Sequence, residues 1–153
     1  MTCRPFMGGL VASMRLACQA PSTQTTMTLD RLHPSLAQTV ESMADDTVSI
    51  SQARKSELND LALWVADMLA DSGQVDLTFI CTHNSRRSHL AQVWAQMGAE
   101  VSGLRGVRTY SGGTEATACN PRTVAAMRRA GFQVEVKDTV RGATNPTYDL
   151  SLI

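Results

Sequence analysis

The segment from Val75 to Met97 constrains this chain more than any other, because within it the apolar periodicity changes from that of a strand to that of a helix. Val75, Leu77 and Phe79 alternate with Asp76 and Thr78 before Ile80 extends the run, the pattern of a strand buried on at least one face. Leu90, Val93, Trp94 and Met97 then fall at i, i+3, i+4 and i+7. One stripe of this helix therefore faces a core, and Gly98 stands where a C-terminal cap is expected. Between the two lies a polar loop, Cys81 to Ser88, and the order strand, loop, helix is that of an α/β unit.

A loop between a strand and a helix N-terminus collects unpaired backbone N–H groups and the positive end of the helix dipole, so it suits a bound oxyanion. Cys81 opens that loop, where the same field favours a thiolate over a thiol. Arg87, six residues on, places a planar guanidinium fork at the far rim, able to hold two oxygens of a tetrahedral anion. The Ser88 hydroxyl is a donor for the sulfur, and Asn84 ties the loop to itself.

At these residues the chain resembles the low-molecular-weight protein tyrosine phosphatase superfamily. Its Cys-x5-Arg-Ser loop with an internal Asn matches Cys81, Asn84, Arg87 and Ser88. The wording Cys-Thr-His-Asn-Ser-Arg-Arg-Ser is similar to the branch that contains thioredoxin-coupled arsenate reductases and related bacterial phosphatases. The resemblance implies a flavodoxin-like doubly wound parallel sheet of the phosphotyrosine protein phosphatase I type. It also implies catalytic roles for Cys81, Arg87 and Ser88, and a substrate-binding role for Thr82, His83, Asn84, Ser85 and Arg86. No cofactor and no metal are implied, because guanidinium and loop amides supply the positive potential.

The chain's 153 residues suit one domain, and a 43% hydrophobic content suffices for a core. Fourteen basic and fourteen acidic side chains give a formal net charge of zero, which argues against nucleic acid or membrane as a bulk electrostatic partner. Four scattered cysteines, Cys3, Cys18, Cys81 and Cys119, without a zinc-type cluster, indicate a reducing, cytoplasmic setting. The first 29 residues lack acidic side chains and carry only Arg4 and Arg15 as charges, and residues 1–31 read as a disordered or mis-started extension with Met27 as the alternative start. No stretch is long enough to span a membrane.

Residues 33–73 read as a helical addition. Leu36, Val40 and Met43 space a short helix; Ser51 caps a longer one whose stripe is Leu58, Leu61, Ala62, Val65, Met68 and Leu69, ended by Gly73. Trp64 lies at the edge of that stripe as a packing residue. Residues 75–153 form the phosphatase-like α/β domain. After a loop from Glu100 to Arg105, Val107 to Tyr110 read as its second strand, broken by Ser111-Gly112-Gly113-Thr114, which belongs beside the Cys81 loop in a parallel sheet. Asn120-Pro121 starts a helix with Val124 and Met127 inward, and Gly131 closes it. Phe132 to Val136 and Tyr148, Leu150 and Leu152 alternate as strands of a hairpin turning through Gly142 and Thr144-Asn145-Pro146. The resembled family places a third parallel strand, an Asp-Pro acid loop and a last helix beyond this point, and no Asp-Pro dipeptide occurs here. The expectation is a sheet incomplete at its C-terminus, from a truncated product or a fragment, which lacks the general acid.

Three functions fit. In the first, Cys81 attacks a phosphomonoester of the protein tyrosine phosphate type through a phosphocysteine. In the second, the same thiolate attacks arsenate, with Cys119 as the resolving thiol and thioredoxin as partner. The third is an oxyanion-binding module without turnover. His83 and His89 flank the anion site in all three, where a histidine either serves as a loop or helix-cap residue or tunes the charge of the site near neutral pH, and no second ligand argues for a metal.

Overall fold

A computed structural model of the chain describes residues 28–115, 117–137 and 146–153. Residues 1–27, with Cys3, Cys18 and the alternative start at Met27, lie outside the described residues, as does the Gly142–Asn145 part of the expected hairpin turn. After a short 3₁₀ turn at Leu29–Arg31 come α1 (Pro34–Asp45), α2 (Gln52–Ser72), β1 (Val75–Cys81), α3 (Arg87–Val101), β2 (Val107–Gly113), α4 (Pro121–Arg129), β3 (Gln133–Val136) and β4 (Tyr148–Ser151).

The capping chemistry read from the sequence sets most of these boundaries. Ser51 Oγ accepts from the Arg54 amide at 3.3 Å, Asn120 Oδ1 accepts from the Arg122 amide at 2.9 Å with Pro121 following, and Gly73 ends α2 at φ 70°. Gly98 does not end α3. The helix runs on to Val101, because Ala99 and Val101 are buried and their packing outweighs the roughly 1 kcal/mol cost of an interior glycine. Five residues expected as loop or break, Glu100, Val101, Ser111, Gly112 and Gly113, thus belong to α3 and β2.

β1 and β2 pair in parallel, in register from Val75 with Val107 to Cys81 with Gly113, and α3 supplies the crossover that parallel strands require. Val75, Leu77, Phe79 and Cys81 turn to the helix-covered face of the sheet, while Asp76, Thr78 and Ile80 turn to solvent, Ile80 being 70% exposed. The far edge of β2 is met by glutamine side chains of α3. Gln92 Nε2 donates to the Thr109 carbonyl at 3.0 Å, Gln96 Nε2 donates to the Val107 carbonyl at 3.3 Å, and Gln96 Oε1 accepts from the Thr109 amide at 3.1 Å. Those backbone groups would otherwise form an open sheet edge. β3 and β4 form a separate antiparallel pair centred on Val134 opposite Leu150.

The main core gathers Leu32, Leu36 and Val40 from the N-terminal side with Met97, Val101, Val124, Met127, Phe132 and Val134. Trp94 packs edge-to-face on Phe132, ring centroids 5.0 Å apart. Gly131 permits this closure: it sits at φ 100°, and a Cβ there would come within 2.3 Å of the Leu36 amide nitrogen. A smaller cluster of Val65, Val75, Ala99 and Val107 joins α2 to the sheet. The α2 stripe is only partly covered: Val65 is buried, while Leu58, Leu61 and also Trp64 are exposed.

Candidate active site

The strand, loop and helix at Val75–Met97 fold as β1, residues 82–86 and α3, and the loop is held from outside by the segment that follows β2. The Thr82 carbonyl accepts from the Glu115 amide at 2.9 Å and from Thr114 Oγ1 at 3.2 Å. The His83 carbonyl accepts from Thr117 Oγ1. The Ser85 carbonyl accepts from the Asn120 amide at 2.9 Å and from Thr123 Oγ1 at 3.1 Å, and Ser85 Oγ donates to the Ala118 carbonyl at 2.9 Å. With carbonyls fixed outward, the planar peptides turn their N–H groups to the opposite side.

That opposite side carries the Cys81 thiol. Its pKa is lowered from 9.0 to about 6, first by the Ser88 hydroxyl and then by the Ser88 backbone N–H, with the Ser85 and Asn84 amides adding to this against a cost from burial. Arg86 precedes α3 without offering it a side-chain cap. The sulfur thus takes the place of a capping group at the positive end of the helix dipole.

Ser88 is buried, with Oγ 3.1 Å from Cys81 Sγ and 2.8 Å from Asn84 Oδ1. Its hydroxyl has one proton and two acceptors in reach. With Oδ1 of Asn84 facing it, the proton goes to Asn84 and sulfur is the donor to Ser88. With the Asn84 amide turned to present Nδ2, the proton goes to the sulfur and holds a thiolate. Asn84 itself sits at φ 42°, the left-handed region that Asn tolerates better than most side chains. Gly113 leaves it room, because a Cβ at that position would lie 2.6 Å from the Asn84 nitrogen. The glycine-rich segment is therefore a seat for the loop as well as the end of β2.

Of the residues singled out by sequence, the structure brings Cys81, Asn84, Ser85 and Ser88 together around the sulfur. Arg87 is the first residue of α3 and is exposed, as are Thr82, His83 and Arg86. His83 Nδ1 lies 2.8 Å from Glu115 Oε2. His89 is half-buried with Nδ1 3.1 Å from Ser111 Oγ, and burial lowers its pKa while a hydrogen bond to the Asn84 backbone opposes that. Cys119 is part-buried, and burial raises its pKa. It lines a cavity of about 340 Å³ with Asn84, His89 and Ser111, and Cys81 is not among the lining residues. Asp149 is tied to Lys137 at 3.1 Å on the β3–β4 pair. Sequence reading placed Thr114 beside the loop but missed Glu115, Thr117 and Thr123 among its outer clamps; threonine spacing in a loop carries no periodic signal. Among the described residues, no group of three or more His, Cys, Asp or Glu side chains is placed to share a metal ion, and no helix is long and apolar enough to cross a membrane.

Comparison with known proteins gives the same segment. An arsenate reductase of Bacillus licheniformis is 43% identical over 58 residues, 37% of each chain. Arsenate reductase 2 of Staphylococcus haemolyticus is 41% identical over 56 residues, 37% of this chain and 40% of that one. An arsenate reductase of Bacillus subtilis is 40% identical over 58 residues, 37% of each chain. This chain thus covers well under half the length of these relatives. No solved structure matches it. The sequence pattern of the family described as low molecular weight phosphotyrosine protein phosphatase matches residues 76–153, just over half of the chain, including all of β1 but Val75 together with the loop, α3 and β2. With its α/β architecture, parallel sheet and Cys-x5-Arg loop in flavodoxin-like arrangement, this chain belongs to the low molecular weight phosphotyrosine protein phosphatase family.

Proposed function

We propose that this chain is a cysteine-dependent phosphomonoester hydrolase of the protein tyrosine phosphate type. The observation that carries the reading is the Cys81 thiol, held at about 6 by Ser88 and the loop amides, so that the nucleophile is a thiolate at neutral pH. Sγ attacks phosphorus to give a phosphocysteine, and water then releases phosphate. The amides of the loop and the Arg87 guanidinium take the charge of the three equatorial oxygens. Residues 75–153 act in this reading as the α/β domain and residues 33–73 as a helical addition whose Leu36 and Val40 complete its core. The working compartment is the cytoplasm.

Arsenate reduction is the second reading, favoured by the names of the relatives. It would use the same thiolate and, for resolution, a second thiol with thioredoxin as reductant. Cys119 suits that step poorly, since burial keeps it a neutral thiol and no contact joins it to Cys81 among the described residues. The test assays p-nitrophenyl phosphate hydrolysis and thioredoxin-dependent arsenate reduction on the same preparation. Ester hydrolysis abolished in Cys81→Ser, with phosphate protection of Cys81 weakened in Arg87→Lys, is the expected result. Arsenate reduction lost in Cys119→Ser would replace the first reading with the second, and phosphate binding without either turnover would leave an anion-binding module.

A further inference from the structure

The rim of the loop carries one acid–base pair that the Cys-x5-Arg motif does not account for. His83 Nδ1 lies 2.8 Å from Glu115 Oε2, and both side chains are about half exposed, at 54% and 55%. Each is pinned close to the nucleophile through the backbone. His83 stands two residues after Cys81, so their Cα atoms are at most about 7 Å apart. Glu115 stands two residues after Gly113, the register partner of Cys81, and its amide donates to the Thr82 carbonyl. The other ion pairs among the described residues lie elsewhere: Arg54–Glu57 within α2, Arg108–Asp76 at the second residues of β2 and β1, and Lys137–Asp149 on the β3–β4 pair. A carboxylate on Nδ1 fixes the orientation of the ring and leaves Nε2 as the end free to act, a division of labour that suits histidine to proton transfer.

We propose that His83, oriented by Glu115, protonates the leaving oxygen in the hydrolysis inferred above, a step that rests on that reading. As the Sγ–P bond forms and the ester P–O bond breaks, the Nε2 proton passes to the departing oxygen, which leaves as a neutral phenol or alcohol. The imidazole is then neutral. In the second half-reaction, the oxygen of water bonds to phosphorus as the S–P bond breaks, and one water proton returns to Nε2. Hydrogen phosphate departs, and the thiolate and imidazolium are restored. His83 is the catalytic residue in this step and Glu115 a positioning residue.

The experiment is a series of aryl phosphates, from 2,4-dinitrophenyl to phenyl, at one fixed pH on the full chain, with His83→Gln and Glu115→Gln alongside. His83→Gln is expected to lose about 10²- to 10⁴-fold on phenyl phosphate and under about tenfold on the dinitrophenyl ester, which needs no proton to leave. The plot of log kcat/KM against leaving-group pKa steepens accordingly, and steepens less in Glu115→Gln, whose amide oxygen still accepts from Nδ1–H. Phosphate should protect Cys81 from iodoacetamide in both variants as in the parent. An unchanged slope in His83→Gln overturns the proposal. So does an equal loss on every ester with protection gone, which would make the pair a brace for the loop. If the parent hydrolyses no ester faster than Cys81→Ser, the phosphatase reading itself fails and takes this step with it.

Discussion

Ser88→Ala tests the central electrostatic feature of the site. The substitution removes the oxygen 3.1 Å from Sγ and leaves the Ser88, Ser85 and Asn84 amides, so the thiol should titrate above about 6 but short of 9.0. A hydrogen bond to a charged group is usually worth about one to two pH units. At pH 7 the thiolate fraction then falls from about nine-tenths to between about a half and about a tenth. Reactivity does not follow that fraction alone. A more basic thiolate is also a better nucleophile, by about 3- to 10-fold over one to two units at a Brønsted coefficient of about 0.4–0.5.

Together these effects predict a crossing. Attack of Cys81 on a neutral aromatic disulfide, 4,4′-dithiodipyridine, should be about 3- to 14-fold slower in the variant near pH 5, nearly equal near pH 7 and about 3- to 9-fold faster near pH 9. The assay quenches the reaction with acid and quantifies the Cys81 peptide by mass spectrometry, which separates it from Cys119. Two curves of the same midpoint would refute the reasoning. That result would place the Ser88 proton permanently on Asn84 Oδ1, 2.8 Å away, and leave the thiolate to the amides alone.

Three further outcomes follow from the same geometry. Because the folded pKa of Cys81 lies below its ordinary 9.0, ionisation adds stability that is complete above about pH 9 and lost as pH falls through about 6. Urea midpoints of the parent and Cys81→Ser should therefore separate in the parent's favour between those values, and a constant difference would contradict the shift. Gly113→Ala puts a Cβ 2.6 Å from the Asn84 nitrogen, and under the proposed hydrolase function a loop displaced by about 1 Å should lose about 10²-fold in ester hydrolysis; activity within about threefold of the parent would show that the seat is not needed. Gly131→Ala forces a side chain to φ 100° against the Leu36 backbone and should cost about 1–3 kcal/mol in thermal unfolding, while activity per folded molecule is kept; an unshifted midpoint would mean that α1 does not close on that turn.

Much of this was legible in the residues. The switch from alternation to helical spacing placed β1 and α3, Ser51 and Asn120 marked helix starts, and the Cys-x5-Arg loop located the sulfur. What the sequence misplaced has physical causes. Gly98 carries a local stop signal that the burial of Ala99 and Val101 overrides. The Leu58 and Leu61 stripe has the right period, but periodicity says only which residues share a face and not what covers it. Thr114 was placed beside the loop, but the further clamps were invisible for another reason. Thr117 and Thr123 act through contacts 34 and 38 residues away in sequence, and only the register of Cys81 with Gly113 brings them alongside the loop.

That register also explains why so few side chains need to touch the sulfur. A parallel pair ending at Cys81 and Gly113 delivers two chain segments to one edge at the same height, the loop from β1 and the clamp from β2. The clamp turns the Thr82, His83 and Ser85 carbonyls outward, and planarity of the peptides leaves the N–H groups to the inside. The Ser88 hydroxyl gives the largest single push on the Cys81 thiol, and the rest of the inward field comes from backbone that no side-chain substitution removes. Changes to Ser88 and Asn84 should therefore remove the hydroxyl's share of that push, whereas changes to the clamp, Gly113 first among them, should remove the share of the loop amides. A Gly113→Ala variant whose Cys81 still titrates near about 6 would break this division, because it would show the amides aligned without their outer support.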